Sequence, residues 1–316
     1  MLQGFFLPFR DGQRSFGLWL LVSDLRHFLI FGNPFSLVSL LLGADPRRQD
    51  GNPDELLRLV DTKDFSKNVD GTKKHLDSID RELFLVKDPD LSTFNQGRLA
   101  DCYFLSPIAA MAHRNARSIH DMIHPEVTGG FQVHFGDGQK IHISPLTDAE
   151  LLIGARLDER HGSWLAVLEK AYGIVRKKEK AKKGEKATGS EPIQSLNYGD
   201  SEPVIAMLTG HKAEKLMLAK SNQDQVHTLF QRVTQRRHLT CIGKGDAPKI
   251  PGLVDGHIYA IMGYDPKGRH VNIFNPWGNN FTPKGDPGKS NGLSYQERSI
   301  HRAAGPILFN LQRRDP

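Results

Sequence analysis

The sequence predicts an α+β fold, and three observations carry that prediction. Apolar residues at helical 3–4 spacing dominate the chain up to about residue 237. Short apolar or alternating runs, set off by Gly, Pro and Asp, take over after it. The two patterns follow one another instead of alternating as β-α units, so the later strands are expected to form an antiparallel sheet.

Taken in order, the first 45 residues form an apolar extension. Residues 16–22 and 28–42 are strongly apolar, but Asp24, Arg26 and His27 separate them, and Asn33-Pro34 interrupts the second run. Neither run reaches the roughly 20 residues that span a bilayer. Three readings stay open: an atypical extension, a long export signal over residues 1–44, or a weak membrane-surface association through residues 16–42. Cytoplasmic location is slightly favoured over export. Residues 43–56 are polar and rich in turn formers, so 46–80 reads as a linker or lead-in and 81–316 as the folded core.

Residues 102–116 read as a helix with Leu105, Ile108, Ala109 and Ala112 on its buried face. Asp101 and Cys102 stand at its N-terminus, where the partial positive charge of the helix favours a thiolate. Pro107, a little past the first turn, should remove one backbone hydrogen bond and marks a place where the helix can kink. Residues 130–144 read as a hairpin: Phe131, Val133 and Phe135 alternate, Asp137-Gly138 turns, and Ile141 and Ile143 resume the alternation. His134 and His142 lie on these strands, but the turn takes up the nearby carboxylate, Asp137, so no metal site is assigned. Residues 163–176, 201–210 and 223–237 read as further helices, and residues 239–242, 257–264 and 271–275 as strands.

Composition narrows the function classes. Apolar residues make up 38% of the 316 and charged residues 25%, a globular balance and not a collagen-like or membrane-spanning one. The net charge of +6 admits an anionic partner, but much of the excess lies in the run 176–186, RKKEKAKKGEK, which lacks interleaved aromatics. It reads as a solvated loop or helix end, and no nucleic acid is expected. Two cysteines, Cys102 and Cys241, make no disulfide framework. Cys241 lies in an apolar strand and reads as structural.

A cysteine nucleophile needs a base, a group to orient the base, and donors for the developing oxyanion. Three segments offer these groups. In NQGRLADCYFL, Cys102 opens a helix and Gln96 lies six residues upstream, where its amide can fold back over the thiol. In LVDGHIYAIMGY, His257 heads a strand, and in FNPWGNNF, Asn275 ends one, with Trp277 placed to cover an Asn–His contact. Asp101 reads as an N-terminal helix charge or structural hydrogen-bonder pointing away from the thiol.

These segments, in this order, resemble the protease core of the calpain family, a branch of the papain-like cysteine proteases. Gln96-Gly97-Arg98-Leu99-Ala100-Asp101-Cys102-Tyr103, Gly256-His257 and Asn275-Pro276-Trp277-Gly278 carry the resemblance. Residues 164–172 (WLAVLEKAY) and 196–210 support it, so it extends over about residues 80–310. It implies a two-lobed papain-like fold, with a helical lobe at about 81–210 and a sheet lobe at about 211–316. It further implies Cys102 as nucleophile, His257 as general base and acid, Asn275 as the group orienting it, Gln96 with the Cys102 N–H as oxyanion hole, and Trp277 as a shield. The implied activity is endopeptidase cleavage of protein or peptide substrates through a thioester. A catalytically silent binding module and acyl transfer to an amine other than water stay open as alternatives. Ala100 and Tyr103 depart from the family's Gly and Trp. The chemistry needs no cofactor. Calcium enters by resemblance alone: Asp88, Asp90 and Asp286 are the acidic residues near the family's calcium positions, they make no visible ligand shell, and no EF-hand loop occurs.

Overall fold

A computed structural model describes residues 63–85, 94–127, 129–155, 162–185, 192–244, 253–278 and 293–310, together with 89 and 91. The apolar runs within residues 1–45, the linker at 43–56, and Asp88, Asp90 and Asp286 lie outside these residues. Among the described residues no helix is long and apolar enough to cross a membrane.

The architecture is α+β, with antiparallel strand pairing throughout the two sheets. Helix α1 (Lys63–Ser78) occupies the stretch read as lead-in. Helix α2 (Cys102–His120) is followed by a three-stranded sheet of β1 (Ile123–Pro125), β2 (Phe131–His134) and β3 (Lys140–Ile143), in that order. Then come α3 (Asp148–Ile153), α4 (Trp164–Lys182) and α5 (Ser201–Thr209). The larger sheet runs β4-β9-β5-β6-β7-β8. Its strands are β4 (Ala213–Met217), β5 (Thr240–Lys244), β6 (Ile258–Asp265), β7 (His270–Phe274), β8 (Leu293–Gln296) and β9 (Ala304–Asn310), with α6 (Gln223–Gln235) and α7 (Glu297–Ala303) in the connections.

The predicted hairpin turns at Asp137-Gly138: Gly138 takes φ +90, open to glycine at little cost, and the Asp137 carboxylate accepts the Gln139 N–H at 3.0 Å. Helix α4 continues to Lys182, so the first part of the basic run is helical. Pro107 keeps helical dihedrals within α2. The carbonyl it leaves without a helical partner is that of Tyr103, and the Ser201 hydroxyl donates to it at 2.7 Å. The break comes at Asn115, whose dihedrals (φ −160, ψ 87) are extended.

Two apolar clusters flank strand β6, and its side chains divide between them. Ala260 and Met262 join the cluster built on α2, α4 and the small sheet. Tyr259 and Ile261 face the cluster of α6, where Val226, Leu229, Phe230 and Val233 are buried. Tyr264 also joins the α6 side although its parity with Met262 would place it on the other, because the register shifts between Ile261 and Gly263. One extra residue in a strand inverts the faces beyond it. β6 is therefore covered on both faces, with α2 along one of them, and this brings the first turn of α2 to the first residues of β6.

Candidate active site

Cys102 is the first residue of α2 and is partly buried. Its neighbour across the lobes is Ile258, the residue after His257. The Ser106 hydroxyl, one turn into α2, donates to the Ile258 carbonyl at 2.8 Å, and the Ile258 backbone also hydrogen-bonds the Cys102 thiol. The thiol is pushed up to about 11, first by desolvation and further by the charge of Asp101, while hydrogen bonding to the backbone of Ile258 and Tyr103 opposes the rise. The helix N-terminus thus does not by itself supply a resting thiolate; burial outweighs it. A base is needed.

His257 stands just before β6 and is buried. Its Nε2 lies 2.8 Å from Asn275 Oδ1. The same oxygen accepts the backbone N–H of Trp277 at 3.0 Å. A backbone N–H can only donate, so this amide atom is the oxygen, and Nε2 carries the proton. Nδ1 is then the basic nitrogen. Rings hold the imidazole in place: Trp277 lies 4.4 Å from it and Tyr259 4.8 Å at 88°.

The loop before Cys102 is tied to the turn after β7. The Gln96 N–H donates to the Pro276 carbonyl at 2.8 Å, and Phe94 packs edge-on against Phe274 at 5.8 Å. Gly97 presses on the backbone of the α3 end so closely that a Cβ there would sit 1.6 Å from the Gly154 carbonyl oxygen. Gln96 is buried, and one of its amide hydrogens goes to the Leu99 carbonyl at 2.6 Å. A primary amide has two, and Gln96 also acts as a donor to the Asp101 carboxyl.

Cys102, His257, Asn275, Gln96 and Trp277, singled out in three separate segments, are therefore linked through Ile258, Pro276 and the Asn275 amide. Asp101 does not point to solvent. It is fully buried, and its carboxyl is raised to about 7, chiefly by desolvation. Its oxygens lack a close hydrogen-bond partner, although Glu169 and Gln96 are near enough to draw the value back down. Glu169, also fully buried, lies well above the usual carboxylate range because of burial and the Asp101 charge; its Oε2 accepts the Ala155 N–H at 2.7 Å. The two buried carboxyls act on one another, and both are raised. Glu169 was read as part of a packing helix. The signal that could have marked it is a Glu-Lys pair inside an apolar run, both members buried: Lys170 meets Glu150 at 2.8 Å.

Among the described residues no group of three or more His, Cys, Asp or Glu side chains could hold a metal ion. What the arrangement offers is a thiol at a helix start, an imidazole with a fixed tautomer, and amide donors nearby, the group set of nucleophilic acyl chemistry.

Comparison with known proteins gives a family-model match, "Calpain family cysteine protease", over residues 62–291. The chain is 27% identical over 228 residues to the calpain-type cysteine protease ADL1 of Oryza sativa subsp. japonica, covering 66% of this chain and 10% of that protein. It is 26% identical over 201 residues to human calpain-14, covering 58% and 27%. With the calpain-1 catalytic subunit of Macaca fascicularis it shares 24% over 234 residues, covering 65% and 30%. The chain thus spans a tenth to three-tenths of the length of these relatives.

Proposed function

Because the chain belongs to the calpain family of cysteine proteases, we propose that it hydrolyses internal peptide bonds of protein substrates, with Cys102 as the nucleophile. The observation that carries this reading is the buried His257 Nε2–Asn275 Oδ1 contact at 2.8 Å, which leaves Nδ1 as the nitrogen without the proton. In the proposed sequence His257 Nδ1 takes the proton of the Cys102 thiol, and the sulfur attacks the scissile carbonyl carbon. The carbonyl oxygen becomes an oxyanion, met by the Cys102 backbone N–H and the Gln96 side-chain amide. As the C–N bond breaks, the imidazolium returns the proton to the departing amine and a thioester is left on Cys102. Water, activated by His257, then hydrolyses the thioester and frees the thiol.

The elevated thiol supports a protonated Cys102 before substrate arrives, with proton transfer coupled to attack. Asn275 keeps the imidazole in the productive tautomer, and Trp277 keeps water from competing for that hydrogen bond. Calcium regulation is a property suggested by the family; without a metal-ligand cluster among the described residues, no step here runs through calcium.

The test is hydrolysis of an unfolded protein substrate by the purified full chain, alongside labelling by an electrophilic thiol probe, each with and without calcium. Native protein should cleave and label, and Cys102→Ala should do neither. Full activity in Cys102→Ala sinks the assignment.

A further inference from the structure

Away from Cys102, the far half of α2 and the segment before β5 line an open cavity of about 410 Å³. Arg114 stands twelve residues along α2 from Cys102, about 18 Å by helical rise. Met111, Met122, Leu208 and Leu239 form apolar walls, and Arg114 and Arg237 bring guanidinium groups to the same space. The Nε and Nη2 atoms of Arg114 are buried and have no hydrogen-bond partner. The Arg237 guanidinium donates to the Arg114 backbone carbonyl, which holds the two cations side by side. Among the described residues no carboxylate forms an ion pair with either.

The electrostatics agree with this geometry. The Arg114 guanidinium is drawn down to about 10 by burial and then by Arg237, with Cys241 alone opposing. His113 and His238 are held below the ordinary histidine value, first by burial, with Arg114 among the charges that contribute. Buried donors on a cation with no acceptor are costly, and a bound oxyanion removes that cost.

We propose that this cavity binds a phosphate-bearing small molecule, with Arg114 and Arg237 receiving the phosphate oxygens and the apolar walls holding its organic part. Phosphate is the matching group because it carries close to two negative charges, which offset two guanidinium groups, whereas a carboxylate offsets one. The planar guanidinium presents paired N–H groups to its oxygens. The proposal rests on residues outside the peptidase constellation and stands or falls apart from it.

Calorimetric titration of the full chain tests it, with inorganic phosphate and with phenyl phosphate, at fixed ionic strength balanced by chloride. Saturable binding is expected, and tighter binding of phenyl phosphate identifies an organic ester over free phosphate. Arg114→Gln should abolish the heat. Arg237→Gln alters an exposed side chain and should fold, so it serves if Arg114→Gln does not; it should weaken binding about ten-fold or more. Ser118→Asp places a carboxylate in the same cavity and should raise the melting temperature in phosphate-free buffer while blocking phosphate. Lys178→Gln, in the other basic stretch, should leave the affinity unchanged. Heat that fails to saturate, or an affinity that survives both Arg237→Gln and Ser118→Asp, overturns the proposal.

Discussion

Replacing Glu169 by Gln probes the buried carboxyl pair of Asp101 and Glu169 at the start of α2. Asp101 is raised from 3.8 to about 7, so the folded chain keeps a proton that the unfolded chain has already released. The sign follows from linkage: stability from the Asp101 proton is complete below about pH 4 and is lost as pH rises through about 7, and Glu169, raised as well, extends the loss to higher pH. Each proton held differently in the two states gives at most about 1.4 kcal/mol per pH unit, so Asp101 alone amounts to at most about 4 kcal/mol. The substituted amide would keep an oxygen for the Ala155 N–H, which now goes to Glu169 Oε2, and would offer Asp101 an N–H donor in place of a second carboxyl. Burial, the main cause of the Asp101 rise, would stay, but the cost of keeping the Glu169 carboxyl protonated above its ordinary range would go. Glu169→Gln should therefore gain roughly 1–3 kcal/mol over the native chain at pH 7.5 and little at pH 4.5. Urea denaturation of both proteins from pH 4.5 to 8 reads the difference. Other titrating groups cancel in that difference to first order. Parallel stability curves across this range would show that the carboxyls are not raised, and the reasoning fails.

Three further perturbations address the site. Asn275→Ala removes the hydrogen bond that orients His257, and kcat/KM should drop roughly ten- to a hundred-fold while Cys102 still alkylates; unchanged kinetics would remove Asn275 from any orienting role. In His257→Ala the thiol has lost its base, so the iodoacetamide rate at Cys102 should keep climbing toward pH 11, whereas the native rate should level off nearer neutrality; coincident profiles argue against proton transfer to His257. Gly97→Ala puts a methyl 1.6 Å from the Gly154 carbonyl oxygen, which the backbone must move to admit. About 3 kcal/mol and a melting point lower by roughly 5–10 °C are expected, and an unaltered melting point would show that this contact is loose.

Local elements were legible because their signals are local. The 3–4 spacing behind α2, α4 and α6 and the Asp137-Gly138 hairpin needed no partner to be read. Strand β9 was not read. Its segment carries Gly305 and Pro306, which look like turn punctuation, and its strand character comes from partners far away: Glu214 opposite Phe309 and Cys241 opposite Leu308. The lost helical bond at Pro107 was legible but its replacement was not, since the hydroxyl that meets the Tyr103 carbonyl belongs to Ser201, 98 residues away.

By itself the sequence determined the α+β class and the order in which Cys102, His257 and Asn275 occur, because residue type and spacing along one chain suffice for both. Tertiary structure decided what those residues feel. Cys102 sits at a helix start as read, yet burial against Ile258 and Asp101 raises its thiol when the helix end alone would lower it. The tautomer of His257 follows from Asn275 Oδ1, the raised carboxyls from the burial of Asp101 beside Glu169, and the paired cations from Arg237 reaching Arg114. Desolvation and charge proximity depend on distances between segments 18 to 152 residues apart, and those distances exist only once the chain is packed.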